Sequence, residues 1–543
     1  MTTIGRHRSV RAAEPEVRTT AGMVRGRQED DLAVFRGIPF AEPPVGEARF
    51  AAPRPARGWH GTREVFSFGP PPPQDSAALQ SVTGHFGAPR RASDHDWLTV
   101  NVWTSDPDPA ARRPVMVWIY GGAYRFGSGG VDSRRIAHDG SLVVVTFNYR
   151  EGVEGFAQIA GAPANRGLLD QIAVLEWVQE NVEAFGGDPD QVTIFGESAG
   201  AGCVAALLAT PRATGLFRRA IVQSLPGSFF TDELARDIAA AIAADVGLSP
   251  TAADLSGVDP YELPAAGAAV ASAMSQHETR WGQAAFAKRI FAPVVDGELL
   301  PTTPWEALAA GKARQVDLIA GHNRDEYRLF MAVAGQIGKI GEDQAALALR
   351  EFAPGPDGER AYREAFPQAS PEMLYQLLRS DWEYRMPTLK LAEAQFAGGG
   401  SAHVYELTWP ALANGGVLGA CHGLDVALLF GSSDPMLRSS FYLGPEPSPE
   451  AEALGNRFRA AWTAFAATGD PGWPAYDPEQ RLVQVLDVHA LVTAYPEEAS
   501  RRIWQDHEFG ALPLLRTNGR RRAAPPGVSR DYLWSQFQQG RSA

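Results

Sequence analysis

The chain has 543 residues, of which 45% are hydrophobic and 21% charged, and its 55 glycines and 41 prolines are spread along the sequence. This composition is typical of a globular protein and excludes the fibrous and largely disordered classes. The formal net charge of −13 argues against a nucleic-acid-binding surface, because neutralising phosphates requires clustered Lys and Arg. A small molecule is therefore the expected partner, bound by a monomer or a small homo-oligomer.

The location of the protein is predicted from three features. No run of about 18 apolar residues is present, so we expect no transmembrane helix and no membrane partner. The basic first 20 residues lack the apolar segment of a secretory signal. Two cysteines, Cys203 and Cys421, are too few for a disulfide framework. These features favour a cytoplasmic protein, and the lack of H-E-x-x-H or close Cys/His pairs predicts neither metal nor other cofactor.

Apolar β-rich runs alternate with longer helical segments, which is typical of an α/β fold with a large, mainly parallel central sheet flanked by helices. The clearest predicted strands cover residues 114–120, 142–148, 191–195, 316–320 and 403–407. Helical spacing of apolar residues predicts helices at 168–185, 199–209, about 232–246 and around 345–365.

We expect one domain over residues 18–515, with helical cap insertions at about 232–290 and 335–400. Residues 1–17 are predicted to be a flexible N-terminus. Residues 516–543 form a basic C-terminal tail containing GRRRAAPPG. Such a tail could be an arm that binds a partner or nucleic acid, but a short basic terminus is more often a solvated, mobile end.

The segment VTIFGESAGAG contains a candidate nucleophile, Ser198. A β-rich run precedes Gly196-Glu197-Ser198-Ala199-Gly200, and an Ala-rich helix follows, so G-x-S-x-G stands in its strand–turn–helix context. The glycines leave room for a tight turn that exposes the serine hydroxyl. The alternative is a chance match in a Gly-rich protein, which the strand before and the helix after make less favoured.

A Gly-rich loop, GGAYRFGSGG, ends the predicted strand at 114–120. A phosphate-binding loop is one interpretation, but neither G-x-x-x-x-G-K-[ST] nor a clean G-x-G-x-x-G is present. Backbone amides that bind the oxygen of a substrate carbonyl are the better interpretation. Together with Ser198, the loop predicts nucleophilic acyl transfer.

At the level of whole stretches, the chain resembles the type-B carboxylesterases, a family that includes cholinesterases and bacterial p-nitrobenzyl-type esterases. The resemblance is carried, in family order from about residue 18 to residue 510, by FRGIPFAEPPVGEARF, LTVNVW, VWIYGGAYRFGSG, TFNYREGVEGF, NRGLLDQIAVLEWVQENVEAFGGDPDQVTIFGESAG, APVVDGELLP, NRDEYRLF and CHGLDVALLFG. It implies an α/β-hydrolase fold and hydrolysis of carboxylic esters through an acyl-enzyme.

The resemblance also implies roles for individual residues. It makes Ser198 the nucleophile, His422 the general base and Glu326 the acid that orients the histidine, although chemistry alone would also allow Asp325. The implied oxyanion-hole donors are the backbone amides of Gly122, Ala123 and Ala199. Gly121, Glu197 and Ser224 are implied to lie just behind the triad.

Some positions depart from the family pattern or suggest specificity. Tyr327 and Leu225 stand where the family usually has glycine, and Ala123 replaces the third glycine of the loop. Aromatic residues near the loop and after IVQS suggest a pocket wall for small, largely apolar esters, with core packing as the equal alternative: Tyr124, Phe126, Phe229 and Phe230. The competing functions are a non-catalytic binding protein and cleavage of amides, carbamates or lactones.

Overall fold

The structure, a computed structural model, describes residues 14–75, 95–431 and 439–515. The predicted basic tail at 516–543 lies outside these residues, as does most of the predicted N-terminal segment. A first strand, Glu16–Arg18, pairs antiparallel with Met23–Arg25, and the side chain of Val17 is buried. The prediction of a flexible segment up to residue 17 is therefore wrong for its last two residues.

The strands of the described residues are short and mostly buried. In chain order they are β1 Glu16–Arg18, β2 Met23–Arg25, β3 Arg27–Glu29, β4 Leu32–Pro39, β5 Thr62–Glu64, β6 Thr99–Thr104, β7 Arg113–Ile119, β8 Val143–Phe147, β9 Gly187–Glu197, β10 Arg219–Gln223, β11 Phe230–Thr231, β12 Val294–Val295, β13 Asp317–Asn323, β14 Ala402–Leu407, β15 Leu482–Leu486 and β16 Leu491–Ala494.

Eleven of these strands form one sheet, in the order β16-β15-β14-β13-β10-β9-β7-β8-β6-β4-β3. From β15 to β8 every neighbouring pair is parallel, and both edges of the sheet are antiparallel. The central strands carry β-branched and aromatic residues on both faces, as in VVVTF of β8, because helices cover both faces of a parallel sheet. The sheet is thus mixed, with a parallel centre.

The helices of the described residues pack on the sheet and beyond its carboxyl edge. The α-helices are α1 Arg134–Gly140, α2 Gly152–Phe156, α3 Arg166–Asn181, α4 Ala199–Ala209, α5 Asp232–Asp245, α6 Ala252–Leu255, α7 Leu263–Ser272, α8 Glu278–Trp281, α9 Gln283–Phe286, α10 Pro304–Ala309, α11 Arg328–Val333, α12 Glu342–Phe352, α13 Gly358–Ala365, α14 Pro371–Ser380, α15 Met386–Ala397, α16 Leu424–Phe430, α17 Ser439–Leu443, α18 Pro449–Thr468 and α19 Glu498–Ile503.

One predicted helix is divided in two. The helical pattern around residues 345–365 ends at Phe352 and starts again at Gly358. Pro354 and Pro356 lie in the gap, where a proline removes a backbone donor and excludes the helical conformation of the residue before it. Gly355 adopts a positive φ of 68°, which completes the reversal between the two helices.

The parallel centre brings distant chain segments to one edge. The strands β7, β9, β10, β13 and β14 are consecutive neighbours and point the same way, so the loops after them meet at their carboxyl ends. In open α/β sheets this edge is where ligands bind. The loops that follow β7, β9 and β13 contain the Gly-rich loop, Ser198 and Glu326.

Candidate active site

Ser198 occupies a strained turn between β9 and α4. Its backbone angles are φ 56° and ψ −126°, a conformation that L-residues rarely adopt. A Cβ on Gly200 would lie 2.0 Å from the carbonyl oxygen of Ile119 in β7, and one on Gly196 would lie 2.7 Å from Gly200. The two glycines of the motif therefore allow the helix to start directly against the sheet, with Ser198 facing a cavity.

Glu326 lies just after β13 and is fully buried. Its Oε2 atom is 2.6 Å from Nδ1 of His422. Its Oε1 atom accepts hydrogen bonds from the Ser224 hydroxyl at 2.6 Å and from the backbone amide of Asn323 at 2.8 Å. The neighbouring Asp325 accepts from the amide of Ala420 instead, so the geometry selects Glu326 as the partner of the imidazole.

His422 is held between two aromatic rings and two carboxylates. The ring centroid of Tyr384 is 4.2 Å away and that of Phe330 is 5.2 Å away. Its Nε2 atom lies 3.1 Å from Oε1 of Glu197, but the angles do not make this contact a hydrogen bond. Nε2 consequently has no hydrogen-bond partner among the described residues, Ser198 included, and His422 and Ser198 line the same cavity.

Burial and neighbouring charges shift the pKa values of both Glu197 and His422. Burial raises the pKa of Glu197 to about 8, against the opposing effect of His422. Burial also works to lower the pKa of His422, but the charges of Glu197 and Glu326 outweigh it and raise this pKa to about 9. The imidazole therefore holds its proton more tightly than an exposed histidine does.

Glu197→Gln is expected to move the acid limb of the pH profile of kcat/KM to lower pH. His422 can accept a proton only when it is neutral, so activity falls as the pH falls through its pKa. The substitution removes one of the carboxylates that raise this pKa, and the limb should shift down by about one unit or more. The profile is measured with a neutral p-nitrophenyl ester.

The matched control for this shift is Glu180→Gln, which removes an exposed carboxylate from α3. Its acid limb should coincide with that of the unmodified enzyme. If Glu197→Gln also leaves the limb in place, Glu197 does not contribute to the proton affinity of His422.

The Gly-rich loop after β7 has the backbone expected of an amide-donor loop. Gly122 has φ 128°, and a Cβ there would lie 1.7 Å from the carbonyl oxygen of Phe126. Ala123 and Tyr124 have φ of 54° and 60°, the left-handed region that costs an L-residue energy. The carbonyl of Tyr124 accepts a 2.7 Å hydrogen bond from the amide of Gly152, which holds the loop in place.

The loop and the helix that follows Ser198 meet at the cavity. Gly121, Gly122 and Ala123 line it, and a Cβ on Gly121 would lie 2.6 Å from the backbone of Glu197. Ala199 is the first residue of α4, where backbone amides lack an intrahelical acceptor and carry the positive end of the helix dipole. The residues predicted as oxyanion donors are thus brought to one place beside Ser198.

The cavity has a volume of about 180 Å³ and mostly apolar walls. Besides Phe126, its apolar lining includes Trp118, Val131, Leu329, Phe330 and Val426. For the other three aromatic residues considered for this wall, the structure favours the alternative of core packing. Phe229 packs edge-on against Trp305, Phe230 pairs in the strand β11, and the ring of Tyr124 packs on Phe156.

Tyr327 and Leu225, the bulky residues at usual glycine positions, are accommodated on the side of the triad away from the cavity. The amide of Tyr327 donates to the Ser380 hydroxyl, and its ring packs against the guanidinium of Arg379. The amide of Leu225 donates to the hydroxyl of Thr388. The contact between Glu326 and His422 remains 2.6 Å, so the added bulk does not separate them.

Sequence reasoning missed the cavity residues that come from outside the core strands. Phe330 lies in α11, Tyr384 lies in the π-helical segment Asp381–Arg385, and Arg289 lies in the loop after α9. Phe330 ends the stretch NRDEYRLF, whereas Tyr384 and Arg289 belong to no motif with recognisable spacing. Two adjacent basic residues, Lys288 and Arg289, at the start of the apolar run IFAPVV were the only signal of Arg289.

Two further findings concern the cysteines and the helices of the described residues. Cys203 and Cys421 are both unpaired and buried. No helix within the described ranges has the length and apolar character needed to span a bilayer.

A mainly parallel sheet, a strained serine between a strand and a helix, and a buried carboxylate–histidine pair after later strands define an α/β-hydrolase fold. The model of the carboxylesterase family matches residues 13–504. The chain belongs to the carboxylesterase family and is a hydrolase of carboxylic esters.

Individual relatives support the same assignment. Para-nitrobenzyl esterase of Bacillus subtilis is 34% identical over 503 residues, which cover 90% of this chain and 97% of that protein. Phenmedipham hydrolase of Pseudarthrobacter oxydans is 33% identical, over 87% of this chain and 95% of that protein. The crystal structure of a Geobacillus stearothermophilus carboxylesterase superposes with a TM-score of 0.76 at 35% identity, covering 90% of this chain and all of the other.

Proposed function

We propose that Ser198, His422 and Glu326 form the catalytic triad of this esterase. The observation that carries the proposal is the 2.6 Å contact between Glu326 and Nδ1 of His422, a residue that lines the same cavity as Ser198. A carboxylate on Nδ1 fixes the tautomer in which Nε2 is the proton acceptor. The buried, doubly hydrogen-bonded Oε1 atom of Glu326 keeps this carboxylate in one orientation.

The reaction then follows from the positions of these groups. Nε2 of His422 takes the hydroxyl proton as Oγ of Ser198 attacks the ester carbonyl. The amides of Gly122, Ala123 and Ala199 donate to the oxyanion, and the imidazolium protonates the leaving alcohol. Water, activated by the same imidazole, attacks the acyl group on Ser198 and releases the carboxylic acid.

The mostly apolar cavity wall favours small esters with a largely apolar body. The triad does not determine which type of acyl bond is cleaved, because the cavity walls select the leaving group. Amides, carbamates and lactones are therefore the second candidate class. A name such as phenmedipham hydrolase among the relatives is a reason to include bonds other than simple esters in the test.

The test combines a covalent probe with a substrate series. Diethyl 4-nitrophenyl phosphate should add to Ser198, as read from the mass of the modified peptide, and abolish activity in proportion. Alkanoyl p-nitrophenyl esters of increasing length are compared with the matching anilides, carbamates and lactones. Esters should be the best substrates, with short to medium acyl chains preferred. An adduct on another serine would contradict the assignment.

The remaining expectations extend the proposal to the whole protein. We infer one domain over residues 18–515, with the segments at 232–290 and 335–400 as a cap, since each segment contributes a wall residue, Arg289 and Tyr384. The two unpaired, buried thiols favour a cytoplasmic location. A monomer or small homo-oligomer is the expected assembly.

A further inference from the structure

Arg289 is a charged residue in the wall of the mostly apolar cavity. It follows α9 and a residue with positive φ, Lys288, which turns the chain toward the site. The residue is 9% exposed, and it lines the same cavity as Ser198 and His422. The catalytic reaction described above assigns no task to this guanidinium.

The hydrogen bonds of Arg289 are incomplete. Its Nη2 atom donates to Oε1 of Glu383 and to the hydroxyl of Tyr384 at 3.2 Å. The buried Nε atom has no hydrogen-bond partner among the described residues. The hydroxyl of Tyr124, which interacts electrostatically with Arg289, is also buried and has no such partner within the described ranges.

Three completely buried arginines, Arg150, Arg166 and Arg385, have a different pattern: each donates hydrogen bonds through Nε, Nη1 and Nη2. Toward the described residues Arg289 donates through Nη2 alone, and it lines the cavity. An unused buried donor is costly, and a ligand that accepts from it recovers that cost.

The charge around Arg289 is not balanced by its partner. Glu383 is shared, because its Oε2 atom also accepts from Arg379 at 3.0 Å. Two guanidinium groups thus share this one carboxylate, so this corner of the cavity attracts anions.

We propose that Arg289 binds a carboxylate carried by the substrate, so that the preferred substrates are esters with a free carboxylate, such as half-esters of dicarboxylic acids. The Nε donor has no partner among the described residues, and it belongs to a cationic group, so a carboxylate is the acceptor that suits it best. The apolar walls would hold the rest of the molecule. This inference rests on the proposed esterase function and names its substrate class.

The carboxylate could belong to the acyl or to the alcohol part of the ester, and two pairs of substrates distinguish these. On the acyl side, p-nitrophenyl hemiglutarate is compared with p-nitrophenyl pentanoate. On the alcohol side, 4-acetoxybenzoate is compared with 4-methylphenyl acetate. Each pair gives a ratio of kcat/KM between the charged and the neutral ester.

Arg289→Met should lower this ratio by about 10- to 100-fold on one of the two sides, the loss typical of a charge-assisted hydrogen bond. Arg289→Lys keeps the positive charge but loses the guanidinium with its Nε donor. Its ratio of kcat/KM should therefore lie between those of the methionine variant and the unmodified enzyme. Arg212→Met, which removes an exposed cation paired with Glu176, is the matched control and should leave the ratio unchanged.

A measurement on the unmodified enzyme covers the case in which Arg289→Met does not fold. Glutarate should inhibit neutral-ester hydrolysis competitively and more strongly than its neutral diamide, glutaramide, does. Equal inhibition by the acid and the diamide, or a ratio that Arg289→Met and Arg289→Lys leave unchanged on both sides, would overturn the proposal. Failure of the proposed function would instead be seen as no turnover of any ester by the unmodified enzyme.

Discussion

Ser198→Ala is expected to lower kcat for p-nitrophenyl butanoate by about 10⁶-fold, the effect of removing the nucleophile of a serine triad. The methyl group fits the turn that Ser198 occupies, because the glycines at 196 and 200 already provide the space. Folding should therefore be retained while covalent catalysis is lost. Initial rates with an active-site titration of the unmodified enzyme measure the change.

The control for this variant is Ser272→Ala, which removes an exposed hydroxyl at the end of α7. It should retain full activity and full reaction with the organophosphate. Ser198→Ala should take up no organophosphate at all. Substantial ester turnover by Ser198→Ala, with circular dichroism unchanged, would show that another group is the nucleophile.

The elements around Ser198 could be predicted because their signals are local. The strand before it, the two glycines and the Ala-rich helix after it are adjacent in sequence, and the helix was predicted with its observed bounds, Ala199–Ala209. The strand was predicted too short, since β9 begins at Gly187. Pairing with β7 extends it through a bulged register that no local pattern encodes.

The cavity wall could not be predicted because its residues depend on long-range packing. Phe126 belongs to the Gly-rich loop and lines the cavity, and its contact with substrate stays a prediction. Tyr384 and Arg289 come from the helical segments outside the sheet. Aromatic residues close in sequence to the motifs, such as Phe229, turned out to fill the core instead.

The family resemblance located Glu197 only approximately. The sequence placed it just behind the triad, whereas the structure places its carboxyl 3.1 Å from the reactive nitrogen of His422. Its neighbour in the motif, Ser198, points into the cavity because the strained turn reverses the chain there. Contact between a residue next to the nucleophile and the distant histidine is a property of the folded site.

Glu326→Gln is expected to lower kcat by about 10⁴-fold, the loss seen when the acid of a serine triad becomes an amide. Two groups donate to Oε1, the Ser224 hydroxyl and the backbone amide of Asn323, and both require an acceptor at that position. The glutamine oxygen must therefore remain there, and its NH₂ group must face Nδ1 of His422. Nδ1 then becomes the acceptor, and the proton moves to Nε2, where it blocks abstraction from Ser198.

Asp325→Asn is the matched control, because it changes the adjacent carboxylate, which bonds to the amide of Ala420 and to Arg324 rather than to His422. Its kcat should fall far less than that of Glu326→Gln. The imidazole proton resonance of His422 in the NMR spectrum should report the exchanged tautomer in Glu326→Gln alone. If the two variants lose the same activity, the acid that orients His422 is not Glu326, and the tautomer argument fails with it.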